Sequence, residues 1–311
     1  MRLEKWFKHH YPDVGRARIH KLIRTGNIRL NGKKVKFGSR ITEGEEIQVP
    51  QFWNNADSNL HTKSKPKPKR ISKDINVDRL KARILKMDAN IIALDKPAGL
   101  AVQGGTKVKN NLDDMLDDFR FDFDERPRLV HRLDKDTSGV LILARTRFVA
   151  QALTEAFKEH LIQKKYWAIV VGKPEKRRDT IQLALIKKRQ GENEHVVSDP
   201  INGKDAKTCF QRIASKGNIA SWLELRPLTG RTHQLRAHCA LIGCPILGDG
   251  KYGGQNAFID SIPHSKKVHL HAREIELVHP LIGKFSCRAP VPPHLTETFS
   301  MLGFDHRGRS V

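Results

Sequence analysis

The chain has 311 residues, enough for about two domains of ~150 residues each, and its 38% hydrophobic and 29% charged residues are ordinary for a globular protein. Its 57 Lys and Arg against 34 Asp and Glu give a net charge of +23, which favours a polyanionic partner: nucleic acid or an anionic membrane surface. No apolar run approaches the ~18 residues of a membrane-spanning helix, and the charged start MRLEKWFKHH is unlike a secretory signal. We therefore expect a cytoplasmic protein that is not inserted in a membrane.

Cysteine and histidine spacing gives no indication of a metal site. The four cysteines form no CxxC pair and are predicted to be free thiols in a reducing compartment, and the histidines near residue 270 have no carboxylate or cysteine at a matching spacing. These residues are Cys209, Cys239, Cys244 and Cys287, with His264, His269 and His271. We predict no metal.

The first 50 residues predict a small basic module. Apolar residues at helical spacing indicate a helix over residues 16–24, Asn31-Gly32 between strand-forming residues predicts a hairpin, and residues 46–49 predict a further strand. The positive charge could be only a solvated face, but its density favours nucleic-acid binding. We take as RNA-binding candidates Arg16, Arg18, Lys21, Arg24, Lys33 and Lys34.

This module resembles the S4 RNA-binding domain. The pattern RLEKW, then PDVGRARIHKLIRTGNIRLNGKKV, then GEEIQV, covers residues 1–50. The resemblance implies an RNA-docking surface on the second helix and the hairpin. The Lys- and Pro-rich residues 51–83 are predicted to be a basic linker; residues 1–74 hold 18 Lys and Arg against 7 Asp and Glu, +11 of the total charge.

The remaining residues, 84–311, predict a larger strand-rich domain. Strands are expected at 90–95, 140–144, 166–171, 221–225, 269–272 and 275–277, with helices at 146–161 and 233–242. Many strands with few helices between them indicate an α+β fold with a mixed or antiparallel sheet.

The densest polar cluster of this domain is HRLDKDTSG, residues 131–139, directly before a predicted buried strand. Such a loop at the end of a strand is a common place for a catalytic site. An aspartate held ionised by the neighbouring Arg132 and Lys135 could act as nucleophile or general base without a cofactor. The residues themselves do not choose between Asp134 and Asp136.

Two further clusters suggest nucleic-acid contacts. RPLTGRTHQLRAH, residues 226–238, places Arg231 at a helix entrance, where it could pair with a carboxylate or bind phosphate. In KKYW, residues 164–167, Tyr166 stands beside cations at the start of a strand, where an aromatic ring could stack on an unpaired base.

Taken together, these clusters resemble the Rlu family of RNA pseudouridine synthases over nearly the whole of residues 84–311. The matching motifs are LDKPAGLAVQGG, VHRLDKDTSGVLILA, KKYWAIVVG, GKDAKTCF, PLTGRTHQLRAH, GCPILGD with YGG, and LHAREIEL. With the preceding S4-like module, the chain is most similar to the branch that modifies large-subunit ribosomal RNA, and closest to its C-type enzyme.

The resemblance implies a mixed, mainly antiparallel sheet with flanking helices, no cofactor, and specific residue roles. The catalytic aspartate would be Asp134, Arg132 would occupy the place of the flipped nucleotide, Tyr166 would stack on the target uracil and Arg231 would pair with Asp134. Other expected substrate contacts are His131, Thr137 and Leu235.

The sequence departs from the family pattern in two segments. GDGKYGG replaces the usual GDPLYGG at residues 248–254, and Gln103 stands where relatives often have histidine. We expect these changes to affect target choice more than activity.

The competing hypotheses are a non-catalytic RNA-binding or ribosome-assembly factor and an anionic-membrane protein. We favour an enzyme acting as a monomer on large-subunit ribosomal RNA, with no protein partner required.

Overall fold

In a computed structural model of this protein, continuous apolar runs of the chain form central strands of a large sheet. The structure describes residues 1–11, 16–36, 38–50, 76–104, 110–190, 193–262 and 267–305, apart from the side chains of residues 8, 16–18, 21, 189, 190 and 193. The chain divides into two units, Met1–Ile71 and Ser72–Val311.

The first unit contains helices α1 (Leu3–His10) and α2 (Arg16–Arg24) and strands β1 (Arg29–Leu30), β2 (Lys33–Lys34) and β3 (Ile47–Gln48). The strands form an antiparallel sheet in the order β2-β1-β3. Asn31 and Gly32 have φ of +49° and +74°, the left-handed pair that a tight hairpin turn requires, so the predicted hairpin is confirmed.

The second unit begins with α3 (Val77–Lys81), β4 (Ile84–Met87), β5 (Ile91–Lys96), β6 (Arg128–Leu129) and β7 (Ser138–Ala144). It continues with α4 (Arg147–Lys158), β8 (Gln163–Val171), β9 (Arg178–Gln182), β10 (Leu185–Gln190), β11 (Asn193–Ser198), β12 (Lys207–Lys216) and β13 (Ala220–Pro227). It ends with α5 (Gln234–Leu241), α6 (Gly250–Gly253), β14 (Leu270–His279), β15 (Gly283–Arg288) and α7 (Pro293–Leu302).

The main sheet has the strand order β4-β5-β7-β14-β8-β13-β12-β9, with β6 beside β7 and β15 beside β14. Its pairs are antiparallel except β7 with β14, which run parallel. The predicted α+β fold with a mixed, mainly antiparallel sheet is therefore confirmed. The hairpin of β10 and β11 forms a separate two-stranded sheet.

Both faces of the sheet are covered. On β7, Val140 and Ile142 pack in one cluster together with residues of α4, while Leu141 and Leu143 pack in another. On β8, Ala168 faces a cluster that includes Leu235 of α5, whereas neighbouring residues face α7. Thr146 starts α4 as predicted, because its hydroxyl accepts a hydrogen bond from the N–H of Val149.

The predicted linker ends sooner than residue 83. Leu80 of α3 is buried in a cluster of the second unit, and the guanidinium of Arg83 donates to the carboxylate of Asp95 at 2.5 Å. Residues 77–83 therefore belong to the second unit, because burial and an ion pair hold them there. The intervening residues 51–75 lie outside the described part of the chain.

Candidate active site

A cavity of about 570 Å³ opens on the sheet face that carries Tyr166. It is lined by the loop before β7, the end of α4, the start of β8 and the segment from the end of β13 into α5. All seven residues predicted to contact the substrate or act in catalysis line it, namely His131, Arg132, Asp134, Thr137, Tyr166, Arg231 and Leu235.

The shape of the loop before β7 is set by backbone contacts. The N–H of Thr137 donates to the carbonyl oxygen of Asp134 at 3.1 Å, which closes a tight turn. The ammonium group of the buried Lys96 donates to the carbonyl oxygen of Lys135 at 3.2 Å, and so ties this turn to the segment after β5. The turn thus holds Asp134 at the cavity.

Gly139 ends this loop where β7 runs parallel to β14. Its φ is +110°, and a Cβ there would lie 2.1 Å from the carbonyl oxygen of Ala272. Only glycine permits this close approach of the two strands. Since Ala272 is also the β14 partner of Tyr166 on β8, the contact brings the loop and Tyr166 to the same place in the sheet.

The structure distinguishes the two aspartates of the loop by position. Asp134 lines the cavity, whereas Asp136 is not among the described lining residues. Burial raises the pKa of Asp134, and the charges of Arg236, Arg132 and Lys96 oppose that rise. Arg132 is thus one of the cations that favour the ionised carboxylate, as expected, whereas the expected neighbour Lys135 is not among them.

Tyr166 lies between two apolar clusters of the cavity face. Burial raises the pKa of its phenol, and the nearby charge of Asp134 adds to that rise. The ring is therefore uncharged, and it lies within electrostatic reach of the candidate catalytic aspartate.

The other predicted substrate contacts differ in their freedom to move. Arg132 is exposed, and Leu235 and Thr137 are buried. His131 is fixed, because its Nε2 accepts the N–H of Ile142 at 2.8 Å and its ring stacks on Phe157 with centroids 4.2 Å apart. Burial lowers the pKa of His131 to about 3, so this ring is neutral.

Arg231 does not form the expected ion pair with Asp134. Its Nε donates to the carbonyl oxygen of Asp205 at 3.1 Å, and its backbone N–H donates to Oε1 of Gln234 at 3.0 Å. Gln234 also accepts from Thr229 and donates to Thr208. This amide therefore fixes the turn before α5, and the turn directs the Arg231 side chain toward Asp205.

The arginine whose charge acts most strongly on Asp134 is instead Arg236, which sequence reasoning missed. It is buried and forms a bidentate ion pair with Asp249, at N–O distances of 2.6 and 2.7 Å. Asp249 lies in segment 248–254, at a position where GDGKYGG agrees with the family pattern GDPLYGG. Arg236 belongs to the same sequence motif as Arg231. The two side chains point in different directions because Arg236 lies on α5, whereas Arg231 lies in the turn before it.

The remaining histidines and cysteines do not assemble into a metal site in the described residues. His269 faces the carbonyl oxygen of Lys267 at 2.6 Å, and Nδ1 of His271 lies 2.9 Å from the hydroxyl oxygen of Ser138. The cysteines are free thiols, and His264 lies outside the described residues. None of the described helices is long and apolar enough to cross a membrane.

The basic candidates of the first unit are partly described. Arg24, Lys33 and Lys34 are exposed. Arg16, Arg18 and Lys21 lie on α2, but their side chains are outside the described residues. The exposed lysines of β2 are therefore available to a polyanion beside this hairpin.

Comparisons with known proteins identify a family and several relatives that this chain resembles. The family described as RNA pseudouridylate synthase matches residues 90–241. The ribosomal large subunit pseudouridine synthase C of Rickettsia conorii is 37% identical, covering 95% of this chain and 95% of its own length; the protein of that name from Vibrio cholerae is 30% identical, covering 97% and 93%. The structure of human RNA pseudouridylate synthase domain containing 4 aligns with a TM-score of 0.62 at 27% identity, covering 74% of this chain and 96% of the human one.

Proposed function

This chain belongs to the RNA pseudouridylate synthase family, whose members isomerise uridine to pseudouridine in RNA, and we propose that its substrate is large-subunit ribosomal RNA. The names of relatives that match it over nearly their full length support this substrate. The observation that carries the proposed reaction at this site is the cavity in which Asp134 lies with Tyr166 and Arg132.

The reaction needs no redox partner and no nucleotide energy. The bond between N1 of uracil and C1′ of ribose breaks, a bond between C5 and C1′ forms, and overall a proton leaves C5 while N1 gains one. A carboxylate at the sugar is sufficient as the reactive protein group, because it can attack C1′ or take a proton from the sugar. We assign this role to Asp134.

The target base must leave the helical stack before it reaches Asp134, at a cost of a few kcal/mol. The exposed Arg132 lines the cavity and would fill the vacated space, and the Tyr166 ring would stack on the extruded uracil. Leu235 and Thr137 would bound the pocket around the base. His131 would act chiefly through the loop, which its bond to Ile142 anchors.

Arg231 has a different part in this proposal from the one its motif suggested. Its guanidinium is exposed at the cavity and donates to a backbone carbonyl, so its charge remains available for a backbone phosphate of the RNA. Arg236 takes the electrostatic role beside Asp134.

The first unit would bind RNA in the manner of an S4 domain, through α2 and the β1–β2 hairpin. Exposed Arg24, Lys33 and Lys34 support this role. We also propose that the protein acts as a monomer without a protein partner. We propose a cytoplasmic location, which a ribosomal RNA substrate supports.

The direct experiment is a pseudouridine map of large-subunit ribosomal RNA. RNA from cells that lack this protein is incubated with the purified full chain, and with a sample of the same chain inactivated by heat. New pseudouridines that appear only with the active protein support the proposal and identify the modified uridines. A ribosomal RNA map without any new pseudouridine, together with modification of another RNA, would contradict the proposed substrate.

A further inference from the structure

His233 and Tyr252 form a hydrogen-bonded pair that extends to Asp134. Nδ1 of His233 lies 2.7 Å from the phenol oxygen of Tyr252. On the other side of the same ring, Nε2 lies 3.8 Å from Oδ1 of Asp134. The imidazole therefore stands between the tyrosine and the reactive carboxylate, with one nitrogen facing each.

The contacts of Tyr252 indicate the position of its phenol proton. Its oxygen accepts the backbone N–H of Val196 at 3.3 Å, and the phenol O–H is free to donate to the imidazole, which is the direction we infer here. Nδ1 of His233 is then an acceptor, and in a neutral ring the proton must be on Nε2.

The carboxylate selects the same tautomer independently. Asp134 when ionised can only accept hydrogen bonds, and the atom that faces it is Nε2 of His233. A bare nitrogen lone pair there would repel the carboxylate, whereas an N–H is attracted to it. The two ends of the ring thus require the same proton position.

The ring is kept neutral by its surroundings. Burial lowers the pKa of His233 to about 4. The nearby cations Arg236, Lys251 and Arg132 lower this pKa further, and the carboxylate of Asp249 opposes the change. Near pH 7 the ring can therefore donate one hydrogen bond without adding a charge to the site.

The backbone also favours a dedicated role for this residue. His233 has a φ of +51° directly before α5, a left-handed conformation that non-glycine residues seldom adopt. Such conformations persist where surrounding contacts fix them, commonly at functional sites. Here the conformation aims one ring at both Tyr252 and Asp134.

We propose that Tyr252 holds His233 as the tautomer protonated on Nε2, and that His233 is a positioning residue whose N–H orients the Asp134 carboxylate toward the substrate. This inference rests on the catalytic role proposed for Asp134. At 3.8 Å the contact is longer than a hydrogen bond, so the proposal requires the two atoms to move closer together in the RNA-bound enzyme.

The tautomer can be read without any RNA. In the full chain labelled with ¹⁵N-histidine, nitrogen shifts at neutral pH distinguish rings protonated on Nε2 from those protonated on Nδ1. His131 is an internal reference for Nδ1, because its Nε2 accepts a backbone N–H. His279 is an internal reference for a ring protonated on Nε2, because its Nδ1 accepts the N–H of Leu281. We expect His233 to match His279, and a His233 protonated on Nδ1 would overturn the inference.

The catalytic consequence is tested with Tyr252→Phe and His233→Asn. Phenylalanine removes only the hydroxyl, and asparagine tolerates a left-handed backbone but is too short to replace the imidazole. Loss of one hydrogen bond to a charged group predicts that kcat falls about tenfold or more while KM is unchanged. The control is His195→Asn, because the His195 ring packs edge-on to Tyr252 with centroids 6.1 Å apart, and its kcat should be unchanged.

Two outcomes separate this inference from the proposed function. Unchanged kcat in Tyr252→Phe would overturn the positioning role, even with Asp134 fully established as catalytic. Full activity in Asp134→Asn would instead contradict the proposed function, and the positioning role would be overturned with it. A fall in kcat in Tyr252→Phe, together with a larger fraction of His233 protonated on Nδ1 in the variant than in the wild type, supports the inference, because the variant loses one of the two contacts that favour the Nε2 proton.

Discussion

Arg236 and Asp249 are joined by two parallel hydrogen bonds, and both side chains are almost completely buried. The pair fixes the plane of the guanidinium, because both donors of one edge are occupied. Since the charge of Arg236 lowers the pKa of Asp134 more than any other charge does, Asp249 indirectly sets the electrostatics of the reactive carboxylate.

We predict that Arg236→Lys greatly reduces the rate of pseudouridine formation. A lysine keeps the charge but cannot form the bidentate pair, so Asp249 loses a partner and the charge beside Asp134 is no longer fixed. Single-turnover kinetics should show a loss of at least about tenfold, with RNA affinity retained. The control is Arg226→Lys, whose partly exposed guanidinium pairs with Glu224. Equal rates in the two variants would contradict the role of Arg236.

The activity should decline on the acid side at a higher pH than an ordinary aspartate would give. Burial raises the pKa of Asp134, and only the ionised carboxylate can react. Protonation therefore removes activity as the pH falls, with an apparent pKa above the ~3.9 of a solvated aspartate. The measurement is the single-turnover rate as a function of pH in the wild type and in His233→Asn, which removes a second group that titrates nearby. A decline that disappears in His233→Asn would assign it to the histidine.

Lys96 should hold the catalytic turn in place. Its buried ammonium donates to the carbonyl oxygens of Pro97, Leu100 and Lys135. Lys96→Met leaves these acceptors without their donor, so the free energy of unfolding should fall by about 1–3 kcal/mol. Urea unfolding measures this change. Lys135→Met is the matched control, because it removes an exposed side chain and leaves the backbone acceptor, and its stability should equal that of the wild type.

The first unit should supply part of the RNA affinity. In the full chain, Lys33→Gln with Lys34→Gln removes two exposed charges of β2. If both contact phosphate, the slope of log affinity against log salt should become shallower by about 0.7–0.9 per lysine, while the single-turnover rate at saturating protein stays the same. Lys216→Gln, in the second unit, should leave the slope unchanged. An unaltered slope in the double variant would mean that this hairpin does not bind RNA.

The sequence was sufficient to predict several local elements and seven residues of the cavity, because both follow from short patterns. Asn31-Gly32 dictates its turn, and the segment 131–139 contains both the aspartates and the Gly139 that lets β7 approach β14. All seven predicted substrate-contacting residues line one cavity. The β10–β11 hairpin and α7, in contrast, were not predicted.

The partners of these residues could not be predicted, since they depend on long-range packing. Arg231 and Arg236 are five positions apart in one motif, and only the start of α5 decides which of them faces Asp249. Likewise His233 meets Tyr252 through the fold of an intervening helix and loop. Burial, which raises the pKa of Asp134, is also a property of the folded chain.

The most direct test of the account compares Asp134→Asn with Asp136→Asn in the full chain. Both changes remove one carboxylate from the same loop, and only Asp134 lines the cavity. Pseudouridine formed in large-subunit ribosomal RNA is measured under single-turnover conditions, with RNA affinity recorded on the same preparations. We predict no pseudouridine with Asp134→Asn at near-normal RNA affinity, and substantial activity with Asp136→Asn. An active Asp134→Asn, or equal losses in the two variants, would contradict the assignment of Asp134 as the catalytic residue.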